Sequence, residues 1–282
     1  MATTRQIIIK TENLSYCYGP HGPVLHNVSL EIARGECVAI IGQNGAGKST
    51  LVKHFNGLHK PTSGKVYVHG RETGPLKVST LAETVGYVFQ NPDHQICHET
   101  VGKEVAFGLK NLGIPAAETE ARVAAALEAV GLAGHYHTYP FNLSKGQRQR
   151  VALASVLAMQ TEVIVLDEPT TGQDYRESLQ IMEMVRDLNR QGHTIIFITH
   201  DMSLVAGYAG RAVVVCKGEI LADGDVRAIF TQPQLLERTY LNPPQVTALA
   251  QGLREDALPP AVLSVEEMYG LLCKIRSERA GS

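Results

Sequence analysis

The chain has no apolar run approaching the ~18 residues that span a bilayer. Its first residues, Met1-Ala-Thr-Thr-Arg-Gln6, lack the apolar core of a signal peptide. Any connection to a membrane is therefore expected to run through a partner protein. A surplus of one charge is missing too. The 26 Lys and Arg against 28 Asp and Glu leave a formal net charge of −2, so no nucleic-acid partner is expected, because such binders usually carry a basic domain. Cysteine is scarce and scattered, at Cys17, Cys37, Cys97, Cys216 and Cys273, with no C-x-x-C. An odd number without metal-finger spacing reads as free thiols in a reducing cytosol. No internal repeat and no heptad run is present.

What is there is ordinary globular sequence, 282 residues long, enough for one to two domains with a large core. Gln6–Ile9, Val28–Ile32 and Cys37–Ile41 read as β segments. A glycine-rich loop then opens a helix expected from Lys48 to about Leu58. Gly57, Pro61, Ser63 and Gly64 break the chain, and Lys65–His69 alternates as a half-exposed strand. An antiparallel sheet beside the glycine loop is expected here. Between Pro92 and about Leu143 the pattern turns helical, with Val123, Leu127 and Val130 on one face. That stretch, about 92–148, reads as an inserted helical subdomain.

Strands and helices then alternate: a helix from Lys145, strand Val163–Leu166, helix Glu177–Arg190, strand Thr194–Thr199. Alternation of this kind predicts a parallel sheet with helices on its faces. Ala212–Val215 and Glu219–Ala222 read as a hairpin. From about residue 235 prolines mark a separate C-terminal extension, 235–282, after a main domain spanning 1–234. Ser264-Val-Glu-Glu267 fits a capping box opening a helix. Its apolar stripe of Val265, Met268, Leu271, Leu272 and Ile275 suits either packing on the same domain or dimerisation.

The chemistry-bearing residues come in order. Gly42-Gln43-Asn44-Gly45-Ala46-Gly47-Lys48-Ser49-Thr50 fits G-x-x-x-x-G-K-[ST]. Its glycines let backbone N–H groups approach phosphate oxygens, aided by the helix dipole. Lys48 supplies positive charge to the β- and γ-phosphates, and the Ser49 hydroxyl can reach Mg²⁺. Val163-Ile-Val-Leu166 ends in Asp167 and Glu168. Asp167 is placed to hold Mg²⁺ through water, and Glu168 to act as general base or to orient the attacking water. His200, ending the next strand, is expected near the γ-phosphate. Ser144 and Gln147 in Ser144-Lys145-Gly146-Gln147 make a capping box whose exposed helix start can meet an anion. His94, Cys97 and His98 have metal-ligand spacing if they share a helical face. No further ligand is identifiable, and a polar surface turn is the competing reading.

The ordered set of motifs along roughly residues 5 to 230 resembles the ATP-binding cassette ATPases. The resemblance implies an α/β P-loop cassette core with a parallel sheet, an N-terminal antiparallel β subdomain, an inserted helical subdomain and a small C-terminal extension. It implies ATP hydrolysis with Mg²⁺ by two subunits clamped head to tail, identical or paralogous. In that picture Ser144, Lys145, Gly146 and Gln147 address the γ-phosphate held by the opposite subunit, and Lys145 stands where a second glycine is common. Tyr18 matches the adenine-stacking aromatic, with Tyr16 as rival. Asp174 matches the loop that crosses the dimer. Gln90 matches the residue linking Mg²⁺ and water to the helical subdomain.

Phe89–Ile96, Thr100–Gly108 and Thr170–Asp174 are similar to the energy-coupling factor branch, as is the tail around Leu241–Pro244 and Leu263–Glu267. That branch imports vitamins and transition-metal ions. The resemblance implies a peripheral protein on the cytoplasmic face of the cell membrane. Its partners would be a transmembrane coupling subunit and a small substrate-capture membrane protein. The polar stretch after Gln90 suits docking on that coupling subunit, with Asp93 meeting its basic residues. An ATPase of another importer type is the runner-up reading. A soluble cassette protein and a nucleotide-gated scaffold are the alternatives from other classes.

Overall fold

The computed structural model describes residues 5–19, 22–253 and 258–280. Two sheets share one core. The first is antiparallel, ordered β2-β1-β4-β5, from β1 (Ile7–Cys17), β2 (Pro23–Ala33), β4 (Ser63–Val68) and β5 (Arg71–Glu72). The second is ordered β10-β9-β3-β8-β7-β6, from β3 (Cys37–Ile41), β6 (Val85–Val88), β7 (Val163–Asp167), β8 (Thr194–Ile198), β9 (Arg211–Cys216) and β10 (Glu219–Asp225). Its strands run parallel except β10, which closes the edge as the antiparallel arm of a hairpin with β9.

The parallel strands read as unbroken apolar runs because both faces are covered. Val38 and Ile40 of β3 point to the antiparallel sheet and to Leu51, Val52 and Phe55. Ala39 and Ile41 point to the helical side. Five-residue strands with this alternation need no local signal beyond apolarity, which is why β3, β7, β8 and the β9–β10 hairpin lie where the pattern puts them.

β1 and β2 are longer than expected. Asn13 (φ 48°) and Asn27 (φ 49°) sit in the left-handed region, and the register slips between Thr11 and Leu14 and between Leu14 and Tyr16. Such bulges break the period of two that a strand search relies on. Ser29 and Ser15 accept hydrogen bonds from the Asn13 and Asn27 backbone N–H groups and so hold the irregularities.

The first helix is shorter than expected: α1 covers Lys48–Val52 only. The ring Nδ1 of His54 donates to the Thr50 carbonyl at 2.7 Å, and the His54 N–H turns to Leu51 instead. The chain continues to Gly57 in tighter turns. A short α2 (Val78–Ala82) precedes β6.

The insert contains α3 (Val101–Asn111), α4 (Ala116–Ala129) and the start of α5 (Lys145–Met159). Val123, Leu127 and Val130 are buried there, packed with Val101, Val105 and Leu109. α6 (Tyr175–Arg190) and α7 (Met202–Tyr208) cover the same face of the sheet, followed by α8 (Val226–Phe230) and α9 (Pro233–Thr239). Leu235, Leu236 and Leu241 still pack on this main core.

Beyond them α10 (Gln245–Gly252) and α11 (Val265–Ala280) build a small cluster of their own around Ala250, Val262 and Met268. The expected capping box is half formed. Ser264 Oγ accepts from the Glu267 N–H at 3.1 Å. The Glu267 carboxylate instead takes the Leu263 N–H and the guanidinium of Arg227 on α8, which ties the tail to the main core. The apolar stripe splits. Met268, Leu271 and Ile275 face inward, while Val265 is 70% exposed and Leu272 lies outward beside an exposed Tyr269. Among the described residues no helix is long and apolar enough to cross a membrane, and all five cysteines are free.

Candidate functional site

The glycine loop leaves the carboxyl end of β3, where open α/β sheets bind their ligands. Gly42 takes φ 148°, and a Cβ there would lie 2.0 Å from the Val215 carbonyl oxygen of β9. Gly47 caps α1 at φ 101° against Leu25 and Val24. No other residue type fits either place, so the loop is held close to the sheet with its amides free to turn outward.

Lys48 is buried, and its Nζ donates to the Gly42 and Gln43 carbonyls at 2.7 and 2.8 Å. Burial pushes its pKa down, against the pull of the Glu168 and Asp167 charges. A desolvated cation whose hydrogen bonds among the described residues go to two carbonyls is ready to exchange them for phosphate oxygens.

The cavity in front of the loop holds about 670 Å³ and is lined by Tyr18, Val24, the loop residues, Gln90, Glu168, Thr171 and His200. A groove of similar volume, ≈ 680 Å³, lies at the amino-terminal ends of β3 and β9. Its Arg211 is already paired with Glu36 and Asp223.

β7 delivers both carboxylates to the cavity wall. Asp167 is nearly buried; its Oδ1 accepts from Ser49 Oγ at 2.9 Å and its Oδ2 from the Tyr87 hydroxyl at 2.7 Å. Glu168 sits in the left-handed region at φ 48°. That conformation costs a non-glycine residue on the order of 1–3 kcal/mol, and the Glu168 N–H bond to the Ile198 carbonyl at 3.0 Å helps to hold it. The turn aims the carboxylate into the cavity. There Oε2 accepts from Gln90 Nε2 at 2.8 Å and Thr171 Oγ1 at 2.9 Å, with His200 Nδ1 at 3.7 Å. Three hydroxyls, those of Ser49, Tyr87 and Thr171, one amide and one imidazole thus surround the two acids next to the lysine.

Tyr18 rather than Tyr16 faces this cavity. Tyr18 is 51% exposed, and its hydroxyl meets Thr50 Oγ1 at 3.1 Å and His59 Nε2 at 2.9 Å. Tyr16 is turned inward, stacked on His59 with ring centroids 4.9 Å apart. The capping box of Ser144 and Gln147 is complete, with both reciprocal hydrogen bonds present. Ser144 and Lys145 are exposed, and Gly146 is packed against the Glu177 carboxylate. None of residues 144–147 lines the cavity of its own chain. Asp174 caps α6 through the Glu177 N–H at 2.8 Å.

Asp93 differs most from its expectation. It has a partner inside the chain: Arg148 Nε donates to its Oδ1 at 2.6 Å, linking the turn after Gln90 to the helix that Ser144 caps. His94, Cys97 and His98 do not share a helical face. Only Pro92–His94 forms one tight turn, and His94 Nε2 lies 3.5 Å from Asn91 Nδ2. Tyr87 and Thr171 were not singled out from the sequence. Thr171 lies within the run Thr170–Asp174, and Tyr87 lies on β6, three residues before Gln90.

Sheet order, glycine cradle and paired carboxylates define a P-loop nucleotide-binding domain of the cassette type. The family model for the ABC transporter matches residues 25–171, and the chain belongs to that family, the ATP-binding cassette ATPases. It is similar to an energy-coupling factor transporter ATP-binding protein of Caldanaerobacter subterraneus subsp. tengcongensis, 42% identical over 95% of this chain and 99% of that protein. A protein of the same description from Methanocaldococcus jannaschii is 44% identical over 89% and 91%. Other relatives are longer: the chain spans about half, 45%, of a putative ABC transporter ATP-binding protein of the former organism, at 47% identity over 93% of this chain. Among solved structures, cbiO1 from Clostridium perfringens, described as part of the transporter complex cbiONQ, is 35% identical with a TM-score of 0.75, covering 86% of this chain and 98% of that one. A cassette solved as a dimer with ADP and phosphate is 30% identical with a TM-score of 0.71, covering 78% and 99%.

Proposed function

We propose that this chain is the ATP-hydrolysing subunit of a membrane importer of the energy-coupling factor kind. The observation that carries the chemistry is the Glu168 carboxylate, held by Gln90 and Thr171 in the cavity that also contains Lys48 and His200. Bound ATP would lay its phosphates on the loop amides and Lys48. Glu168 would take a proton from the attacking water, and His200 would help to orient both. Ser49, Asp167 and Gln90 are the residues to hold Mg²⁺, and the hard oxygen donors of the first two suit that ion. Magnesium supplies charge neutralisation on the phosphates when bound.

The exposed, capped start of α5 does not reach the cavity of its own chain. Ser144, Lys145, Gly146 and Gln147 are therefore assigned to the nucleotide of a second ATPase subunit, identical or paralogous, with Asp174 at the same seam. The similarity to a cassette solved as a dimer supports this reading. The names of the relatives, energy-coupling factor transporter ATP-binding proteins and a part of the cbiONQ transporter complex, support partners in a membrane transporter. The resemblance of the motifs adds a transmembrane coupling subunit, a substrate-capture membrane protein, a vitamin or transition-metal ion as cargo, and a place on the cytoplasmic face of the membrane as part of this proposal. Residues 1–234 would form the cassette, with the helical insert near 92–148. Because Leu235–Leu241 joins the main core, the separate tail is better begun at about Pro243.

Glu168→Gln tests the assignment. ATP binding should persist, phosphate release should fall by about 10²-fold or more, as for loss of a general base, and an ATP-dependent dimer should accumulate in light scattering. Near-normal phosphate release would remove Glu168 from its role.

A further inference from the structure

One cluster of ligating side chains takes no part in the nucleotide chemistry. Glu104, in the first turn of α3, is only 4% exposed. Its Oε2 accepts the N–H groups of Cys97 and His98, each at 2.9 Å, and lies 3.0 Å from His98 Nδ1. Cys97 Sγ is 3.3 Å from the same ring nitrogen. One ligand atom from each residue falls within 4.8 Å of the other two. Bonds of about 2.0–2.3 Å in a tetrahedral centre put neighbouring ligand atoms about 3.3–3.6 Å apart; here the imidazole nitrogen is 3.0 and 3.3 Å from its two neighbours, and the third separation is within 4.8 Å.

The electrostatics favour a cation. Burying a carboxylate is costly unless it is compensated, and among the described residues His98 is its only ion-pairing partner. The two backbone N–H groups offset part of that cost. The Phe107 ring, 4.8 Å away, packs against the imidazole of His98. Cys97 is exposed, which leaves an entry path and a coordination position for water. A thiolate, an imidazole and a carboxylate together suit zinc, cobalt or nickel rather than magnesium or calcium.

We propose that Cys97, His98 and Glu104 form a three-ligand site for a divalent transition-metal ion, open to solvent at its remaining position. Cys97 binds as the thiolate and gives its proton to solvent. Glu104 supplies the ligand that the sequence did not reveal, and His94 has no part. Cys97 and His98 lie on the loop that follows Gln90, and Glu104 lies on α3. The bound ion therefore ties that loop to the first helix of the insert.

The test is a Co²⁺ titration of the purified full chain under reducing, anaerobic conditions with excess Mg²⁺ to fill the nucleotide site. One equivalent should bind, with tetrahedral d–d absorption and a thiolate-to-cobalt charge-transfer band. Cys97→Ser should lose that band, and Cys273→Ser, which removes the other exposed cysteine, should keep it. His98→Gln should weaken binding by at least about 10-fold, and the Cys97→Ser/His98→Gln pair by about 100-fold or more. No band in the native chain, a band that survives Cys97→Ser, or unchanged affinity in His98→Gln would each overturn the site. The readout requires no ATP turnover, so its outcome is independent of the transport assignment.

Discussion

Replacing Tyr87 by Phe would isolate one buried hydrogen bond beneath the nucleotide cavity. Tyr87 is 7% exposed on β6, and its hydroxyl donates to Asp167 Oδ2 at 2.7 Å. Burial, and next the adjacent Asp167 charge, hold the phenol protonated far above the usual tyrosine range. It is therefore a fixed donor at any working pH. The ring packs edge-on against Phe89 at 4.8 Å, a contact that Phe keeps. What the change removes is one charge-assisted hydrogen bond to a carboxylate that is itself 4% exposed and, among the described residues, retains only Ser49 as a side-chain donor. A bond to a charged group contributes about 1.5–3 kcal/mol. At roughly 2–4 °C per kcal/mol for a protein of about this size, the melting temperature should drop by about 4–8 °C for a loss near 2 kcal/mol. The assay is thermal and urea unfolding of the nucleotide-free chain. Hydrolysis should fall less than about 10-fold, equivalent to ~1.4 kcal/mol, because β7 and Ser49 still position Asp167. A stability change under about 0.5 kcal/mol, which is the scale of ordinary surface substitutions, would refute the reasoning. A fall in turnover as deep as that of Glu168→Gln would instead place Tyr87 in the catalytic group.

His54 is fully buried, with Nδ1–H on the Thr50 carbonyl and Nε2 unpartnered, and burial pushes its pKa down to about 4. Between the ordinary value near 6.5 and about 4 the unfolded chain takes a proton that the folded chain refuses, so stability should fall with pH across that window, by up to about 3 kcal/mol. His54→Gln should flatten this part of the curve in denaturant titrations, and an unchanged slope would count against it. Asp93→Lys should break the half-exposed pair with Arg148, worth no more than about 1 kcal/mol, and leave ATP binding intact. Basal hydrolysis should persist and assembly on a membrane subunit should fail, and adding Arg148→Asp, which re-forms the pair with its charges reversed, should not restore assembly; assembly restored by the swap would give Asp93 a purely internal role. Val265→Glu with Tyr269→Lys should weaken any nucleotide-free dimer in light scattering while sparing the melting temperature, and an unchanged dimer population would leave α11 with only its inward contacts.

The nucleotide loop, the apolar strands β3, β7 and β8 and the capping box at Ser144 were legible because each is a local pattern. Glycine spacing, an unbroken apolar run and a Ser-x-x-Gln pair carry their geometry within a few residues. The resemblance to cassette ATPases then implied an order of subdomains and roles for Gln90 and Asp174, which local patterns do not contain. β1 and β2 were read short because asparagine bulges interrupt their period, and α1 was read long because a side-chain ring, not a proline or glycine, redirects its last turn.

Contacts between residues far apart in the chain were settled only by the tertiary structure. Tyr87 reaches Asp167 because β6 and β7 are parallel neighbours, in a register that pairs Val88 with Leu166. Asp93 meets Arg148 because the turn after Gln90 lies over the start of α5. Tyr16 and Tyr18 are two residues apart and look equivalent on paper, yet only the second lines the cavity, while the first is partly buried against the core and stacks on His59. Glu104 joins Cys97 and His98 because the loop folds back to give its N–H groups to a buried carboxylate. Sequence alone determined which residues could bind phosphate, since that chemistry is written in a contiguous loop. Which acid is paired, which aromatic is presented and which ligands converge depended on strand order and loop closure, the long-range terms that no local period records.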